Sequence, residues 1–134
     1  MIAFDTNVLI YATNRHDARR QKTAVELISR TRDAVLLWQV ACEFVAASRK
    51  LAPFGRTTEE TWRYLDEYAV TMPLVLPGPG VLARARSLHV EQQWSFWDAM
   101  IVAACLEAGI SRLYSEDLPG RAAPEGLEVV SPFA

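Results

Sequence analysis

The sequence predicts an α/β domain, with a parallel sheet of four to five strands covered by helices on both faces. Two observations carry this. Short runs rich in apolar residues recur at Ile2–Phe4, Val35–Trp38, Leu74–Leu76 and Arg112–Tyr114. Between them lie longer stretches with apolar residues at helical spacing, punctuated by capping residues, proline or glycine. Strands alternating with helices pair in parallel and need cover on both sides. Sheets of this kind gather ligands at the carboxyl ends of their strands.

Each element follows from local chemistry. Ile2–Phe4 is the first strand, and Asp5-Thr6-Asn7 then offers capping side chains for a helix carrying Val8 to Ala12. From Asp17 to Arg32 an amphipathic helix turns Ala24, Leu27 and Ile28 inward. Val35 to Trp38 is a second buried strand, leading into a helix from Val40 to Lys50 that Pro53 and Gly55 close. Thr57 or Thr58 caps a helix reaching Val70, with Glu59 and Glu60 in the first turn, where acids suit the helix dipole. Leu74 to Leu76, between Pro73 and Pro77, is a third strand, and Gly78-Pro79-Gly80 turns the chain into a helix from Ala83 to Val90. Ser95 opens the last helix, which ends at Gly109. Arg112 to Tyr114 is a fourth strand and Leu127 to Val130 a fifth.

The 134 residues suit a single domain over 1–134, with 51% apolar and 22% charged residues arguing against disorder. A net charge of −2 gives no overall basic field, so nucleic-acid binding would need a local patch. Arg15, Arg19 and Arg20 are open to phosphate contacts or to a solvated helix face. Cys42 and Cys105 lie in apolar stretches and read as buried thiols, which fits a reducing cytoplasm. The N-terminus lacks the basic segment and cleavage site of a signal peptide. The longest apolar run, Ala99 to Leu106, is too short for a membrane span. The expected location is cytoplasmic, with no membrane partner.

The chemistry lies in misplaced charges. Asp5 is the only charge in MIAFDTNVLIYATN, Glu43 the only one in AVLLWQVACEFVAAS (34–48), and Asp98 the only one in QQWSFWDAMIVAACL (92–106). All are acidic, and no lysine or arginine stands in those windows. Singly, each has a structural role open to it: Asp5 as a helix N-cap, Asp98 within a Ser95-x-x-Asp98 capping box, and Glu43 on an exposed helical edge. Asp117, ahead of Leu118-Pro119-Gly120, suits a turn. Together they are harder to place, because buried unpaired carboxylates are costly and like charges repel. Convergent carboxylate oxygens are hard ligands suited to Mg²⁺ or Mn²⁺. Zinc is disfavoured, since His16 and His89 are far apart and belong to no Cys/His pattern. Gly78-Pro79-Gly80 lacks the lysine and spacing of a phosphate loop, and no G-x-S-x-G elbow is present. Metal-assisted chemistry on an oxyanion such as a phosphodiester remains.

The segments FDTNVLIYA, SFWDAMIVAACLEAG (95–109), LYSEDL (113–118) and VVSPF, together with the Glu43 helix, resemble the PIN-domain family, and within it the VapC-type toxins of toxin–antitoxin pairs. The resemblance implies a three-layer α/β/α PIN fold and an Mg²⁺- or Mn²⁺-dependent endoribonuclease acting on RNA. It implies an acidic metal cluster of Asp5, Glu43, Asp98 and Asp117, supported by Thr6, Asn7 and Ser115, with Glu116 as an extra acid set behind them. It also implies a cognate antitoxin and a homodimer. Between residues 50 and 92 nothing is carried over. Two other classes compete: a non-catalytic PIN-like binding module, which loss of the acids would signal, and a metal-dependent phosphatase or phospho-acceptor receiver. A receiver needs a lysine near its acids, and only Lys22 and Lys50 exist, both on expected helices.

Overall fold

In the computed structural model, which describes residues 1–118 and 126–133, five strands form one parallel sheet in the order β3-β2-β1-β4-β5. The strands are β1 (Ile2–Phe4), β2 (Ala34–Leu37), β3 (Leu74–Val75), β4 (Arg112–Tyr114) and β5 (Glu128–Val130). The first strand is central, pairing Ala3 with Val35 on one side and with Leu113 on the other. The helices are α1 (Thr6–Thr13), α2 (Ala18–Arg30), α3 (Trp38–Ala47), α4 (Thr58–Thr71), α5 (Pro79–Glu91) and α6 (Phe96–Glu107). A short 3-10 segment, Ser48–Phe54, links α3 to α4 and ends at Gly55, whose φ of 94° suits a residue without Cβ.

The chain builds outward from β1 through β2 to β3, then crosses back to β4 and β5. Right-handed crossovers that reverse direction put their helices on opposite faces. Packing agrees: α1 lies against α2 and α3, and α3 against α4, while α5 pairs with α6. The core runs from Ala3, Phe4, Val8 and Leu9 through Leu36, Leu37 and Phe44 to Val102, Cys105 and Leu113. Helix α6 buries Ala99 and every residue from Ile101 to Cys105, so it is enclosed on several sides rather than along one stripe. Gly80 opens close packing at one end of α5, because a Cβ there would strike the Glu107 carboxylate, which pairs with Arg84 at 2.9 Å.

The strands fall close to where the apolar runs predict them, and the expected α/β class stands. Three local expectations need correction. Trp38 does not end the second strand. It is the first residue of α3, and its indole is 45% exposed. Cys42, one helical turn on, shares that outward stripe and is exposed, so only Cys105 is a buried thiol; both are unpaired. Burial pushes the Cys105 thiol up to about 12. The third strand is shorter than the expected Leu74–Leu76: β3 is the two-residue edge strand Leu74–Val75, and Leu74 and Leu76 are largely exposed. The Leu118-Pro119-Gly120 turn lies partly outside the described residues. Among the described residues, no helix is long and apolar enough to cross a membrane.

Candidate active site

The strand order changes direction between β1 and β4, and the chain leaves both strands at the same edge of the sheet. Such switch points form crevices at the carboxyl ends of strands. The pairing of β1 with β4 continues one residue further, where the Asp5 N–H donates to the Tyr114 carbonyl at 2.8 Å. That register sets Asp5 beside Ser115. The buried Ser115 hydroxyl donates to Asp5 Oδ2 at 2.8 Å, while Asp5 Oδ1 accepts from the Thr6 N–H at 2.7 Å. Asp5 is therefore both the N-cap of α1 and the centre of a wider arrangement.

Two helices and the segment after β4 bring in the other acids. Glu43, on α3, accepts the Thr6 hydroxyl at 2.9 Å, so one threonine ties the end of β1 to α3. Asp98 stands in the first turn of α6, where its backbone N–H donates to Ser95 Oγ at 3.2 Å. Asp117 follows β4 and accepts the Asn7 amide at 3.0 Å. Thr6 thus bridges Asp5 and Glu43, Ser115 bonds Asp5 and Asn7 bonds Asp117, while Asp98 is near enough for its charge to act on Asp5 and Glu43.

Glu116 does not join them. Its carboxylate accepts the Tyr11 hydroxyl at 3.0 Å and pairs with Arg20 at 3.5 Å. Arg20 also stacks over the Tyr11 ring and pairs with Asp17. Of Arg15, Arg19 and Arg20, Arg20 is thus a counter-charge of Glu116. Tyr11 was not singled out from sequence, although its position one turn after Asn7 on α1 puts it on the same side as the Asp117 contact.

Electrostatics sets the cluster apart. Burial raises the Asp5 pKa above the ordinary carboxylate value; the Ser115 and Thr6 hydrogen bonds oppose this, and the charges of Asp117 and Asp98 add to it. Glu43 is raised chiefly by burial too, opposed by the Thr6 hydroxyl and reinforced by Asp5 and Asp98. Among the described residues, no lysine, arginine or histidine pairs with Asp5, Glu43, Asp98 or Asp117. This patch of negative charge therefore has no ion-pair partner among the described residues.

By donor chemistry this patch fits a hard divalent cation, since all the candidate ligands are carboxylate oxygens. It is not a closed cage. Among the described residues, no three His, Cys, Asp or Glu side chains are arranged as a metal-binding group. Asp5, Glu43 and Asp117 each direct an oxygen to a hydroxyl or amide, so gathering around an ion takes side-chain rotation.

Comparison with known proteins agrees with the fold. Among curated protein sequences none matches significantly. A toxin–antitoxin complex from Klebsiella pneumoniae superposes with a TM-score of 0.69 at 20% identity, covering 98% of each chain. VapC20 of Mycobacterium tuberculosis, a sarcin–ricin loop cleaving toxin, gives 0.67 at 19% identity over 92% of this chain and 98% of its own. A Pyrobaculum aerophilum protein gives 0.65 at 22% identity, covering 96% of this chain and 88% of its own. The PIN domain model matches residues 2–118, from the first strand through the acids that follow β4, and the chain belongs to the PIN domain family.

Proposed function

We propose that this PIN domain is a divalent-metal-dependent endoribonuclease of the VapC type, the toxin of a toxin–antitoxin pair. The observation that carries the reading is the acidic edge itself, where Asp5 and Glu43 are raised by burial and by neighbouring acids and, among the described residues, pair with no cation. Asp5, Glu43, Asp98 and Asp117 are the residues that would hold Mg²⁺ or Mn²⁺. A bound divalent ion supplies a water of lowered pKa and offsets charge on phosphoryl oxygens.

The chain's own part is positioning. Ser115 and Thr6 hold Asp5 from two sides, and the Thr6 hydroxyl fixes Glu43 at the same time. Asn7 orients Asp117, and the Ser95 cap fixes the first turn of α6 beneath Asp98. An RNA phosphodiester is the substrate that makes use of such an edge, and water is the nucleophile. A cognate antitoxin neutralises the enzyme, in keeping with the likeness to the Klebsiella complex. The homodimer that the family resemblance implies is checked by sedimentation.

RNA cleavage by purified protein in Mg²⁺, with and without chelator, tests this reading. Wild type should cut and chelation should stop it. Asp98→Asn should lower the rate by about a hundred- to a thousandfold, the scale on which removing one preorganised electrostatic group acts, while far-UV circular dichroism stays unchanged. Cleavage retained by cleanly purified Asp98→Asn would refute the assignment. RNA binding without any cleavage by wild type would mark a non-catalytic module.

A further inference from the structure

Two segments distant in sequence meet where α1 ends. The Arg56 guanidinium donates to the Thr13 carbonyl at 2.9 Å, to the Thr13 hydroxyl at 2.7 Å and to the Ser48 hydroxyl at 3.5 Å. It also lies over the Tyr64 ring, 4.8 Å from the centroid. The exposed Phe54 ring packs against His16, with centroids 4.5 Å apart. A pocket of about 190 Å³ opens here, and its charged lining includes Arg15, Arg56 and Glu60.

Its positive charge has no acid to answer it. Arg56 bonds to neutral oxygens, and among the described residues neither Arg15 nor Arg56 forms an ion pair. Glu60 is already engaged, accepting the Thr57 N–H at 3.1 Å and the Thr57 hydroxyl at 3.0 Å, with Arg63 at 4.0 Å. Asp17, two residues from Arg15, pairs with Arg20. A guanidinium carries five N–H donors, more than the three bonds that Arg56 makes. Its planar fork matches a phosphate, and the contacts to Tyr64 and α1 hold it in place in advance. The pocket is smaller than the roughly 300 Å³ at which drug-sized ligands begin, which suits a single phosphate group.

Helix α1 connects this pocket to the acidic edge. Asp5 is its N-cap, and Asn14, which lines the pocket, is its C-cap. Its eight residues span about 12 Å, a distance that a single RNA strand covers within a few nucleotides. The net charge of −2 gives the molecule no overall attraction for RNA, so affinity must come from a local positive site.

We propose that Arg15 and Arg56 bind a backbone phosphate of the RNA substrate, a few nucleotides from the cleaved bond. The position along the substrate rests on the ribonuclease reading, whereas phosphate binding itself does not need cleavage. Phosphates are common to every sequence, so the pocket supplies affinity and register without choosing among bases.

The test reads counterion release. Wild type in chelator is titrated with labelled single-stranded RNA over a range of salt, following anisotropy. Arg15→Gln should make the slope of log affinity against log salt shallower by about 0.7, the value for one phosphate contact on a single strand. That slope amounts to about fivefold weaker binding at ~0.1 M salt, and the loss should be equal for poly-A and poly-U. Arg15→Lys, which keeps the charge, should restore most of it. Arg56→Gln should shift the slope in the same direction. Arg15 is exposed, so its two variants decide the matter even where Arg56→Gln fails to fold. In Mg²⁺, Arg15→Gln should raise KM for a long RNA more than for a dinucleotide, which is too short to reach the pocket.

An unchanged slope and affinity in Arg15→Gln would overturn the site while leaving the ribonuclease reading intact. Salt-dependent binding that needs Arg15, with no cleavage by wild type in Mg²⁺, would uphold phosphate binding and overturn the ribonuclease reading. If poly-glutamate at matched charge displaces the RNA as well as unlabelled RNA does, the pocket takes an acidic protein segment and the proposal fails.

Discussion

Asp5 holds two roles that pull against each other. As N-cap it is well served by the Thr6 N–H, and Ser115 adds a second hydrogen bond. Burial and the nearby Asp117 and Asp98 nevertheless raise its pKa. A carboxyl that binds its proton more tightly when folded stabilises the fold in acid and loses that contribution as pH climbs from its unfolded value of about 4 through its raised folded value. The penalty for the charged form grows as pH rises through that folded value. Asp5→Asn, which keeps one acceptor oxygen, should therefore raise the melting temperature of chelator-treated protein at neutral pH. The advantage should vanish below about pH 4, and a gain of equal size at both pH values would refute this account. Ser115 is a separate case. Its buried hydroxyl donates to Asp5 and accepts from the Leu118 N–H at 3.3 Å. Ser115→Ala leaves that amide without a partner and should cost about 1–3 kcal/mol in urea denaturation.

Elements aim the acids. Asp5 follows β1 and caps α1, and Asp98 lies in the first turn of α6, so capping fixes where these two carboxylates lie; Glu43 lies midway along α3 and Asp117 in the segment after β4. Ser95 shows the link most clearly, since its hydroxyl anchors the turn that carries Asp98. Ser95→Ala should cost about 1 kcal/mol of stability and lower cleavage at temperatures where the protein remains fully folded. Loss of stability with cleavage untouched would show that the cap does not position Asp98. The capping chemistry was legible from sequence at Asp5, Thr57 and Ser95, because these side chains act on backbone within a few residues. The start of α3 was not. Leu37 caps it with no side-chain hydrogen bond, so nothing local marks the boundary, and Trp38 reads as strand when it opens the helix.

For the molecule as a whole, the parallel sheet was legible because fully buried strands are apolar along their length, as Ala34–Leu37 is. The strand order was not written locally. It depends on β4 crossing back to the far side of β1, and that crossing turns acids distant in sequence into neighbours. Lone charges in apolar windows singled out Asp5, Glu43 and Asp98. They said nothing of Glu116 and Asp117 parting, since that division depends on Glu116 meeting Arg20 and Tyr11 while Asp117 meets Asn7.

The central claim is that Asp5, Glu43, Asp98 and Asp117 form one site for a divalent cation. A titration of melting temperature with Mn²⁺, run side by side on wild type and Asp98→Asn, tests it without any RNA. Binding only to the folded state stabilises by about 2.7 kcal/mol at a hundredfold excess over Kd. Wild type should show a saturable rise in melting temperature that chelator reverses, and Asp98→Asn, more stable than wild type without metal, should show little or none. No rise in wild type, or an equal rise in both proteins, would contradict the claim.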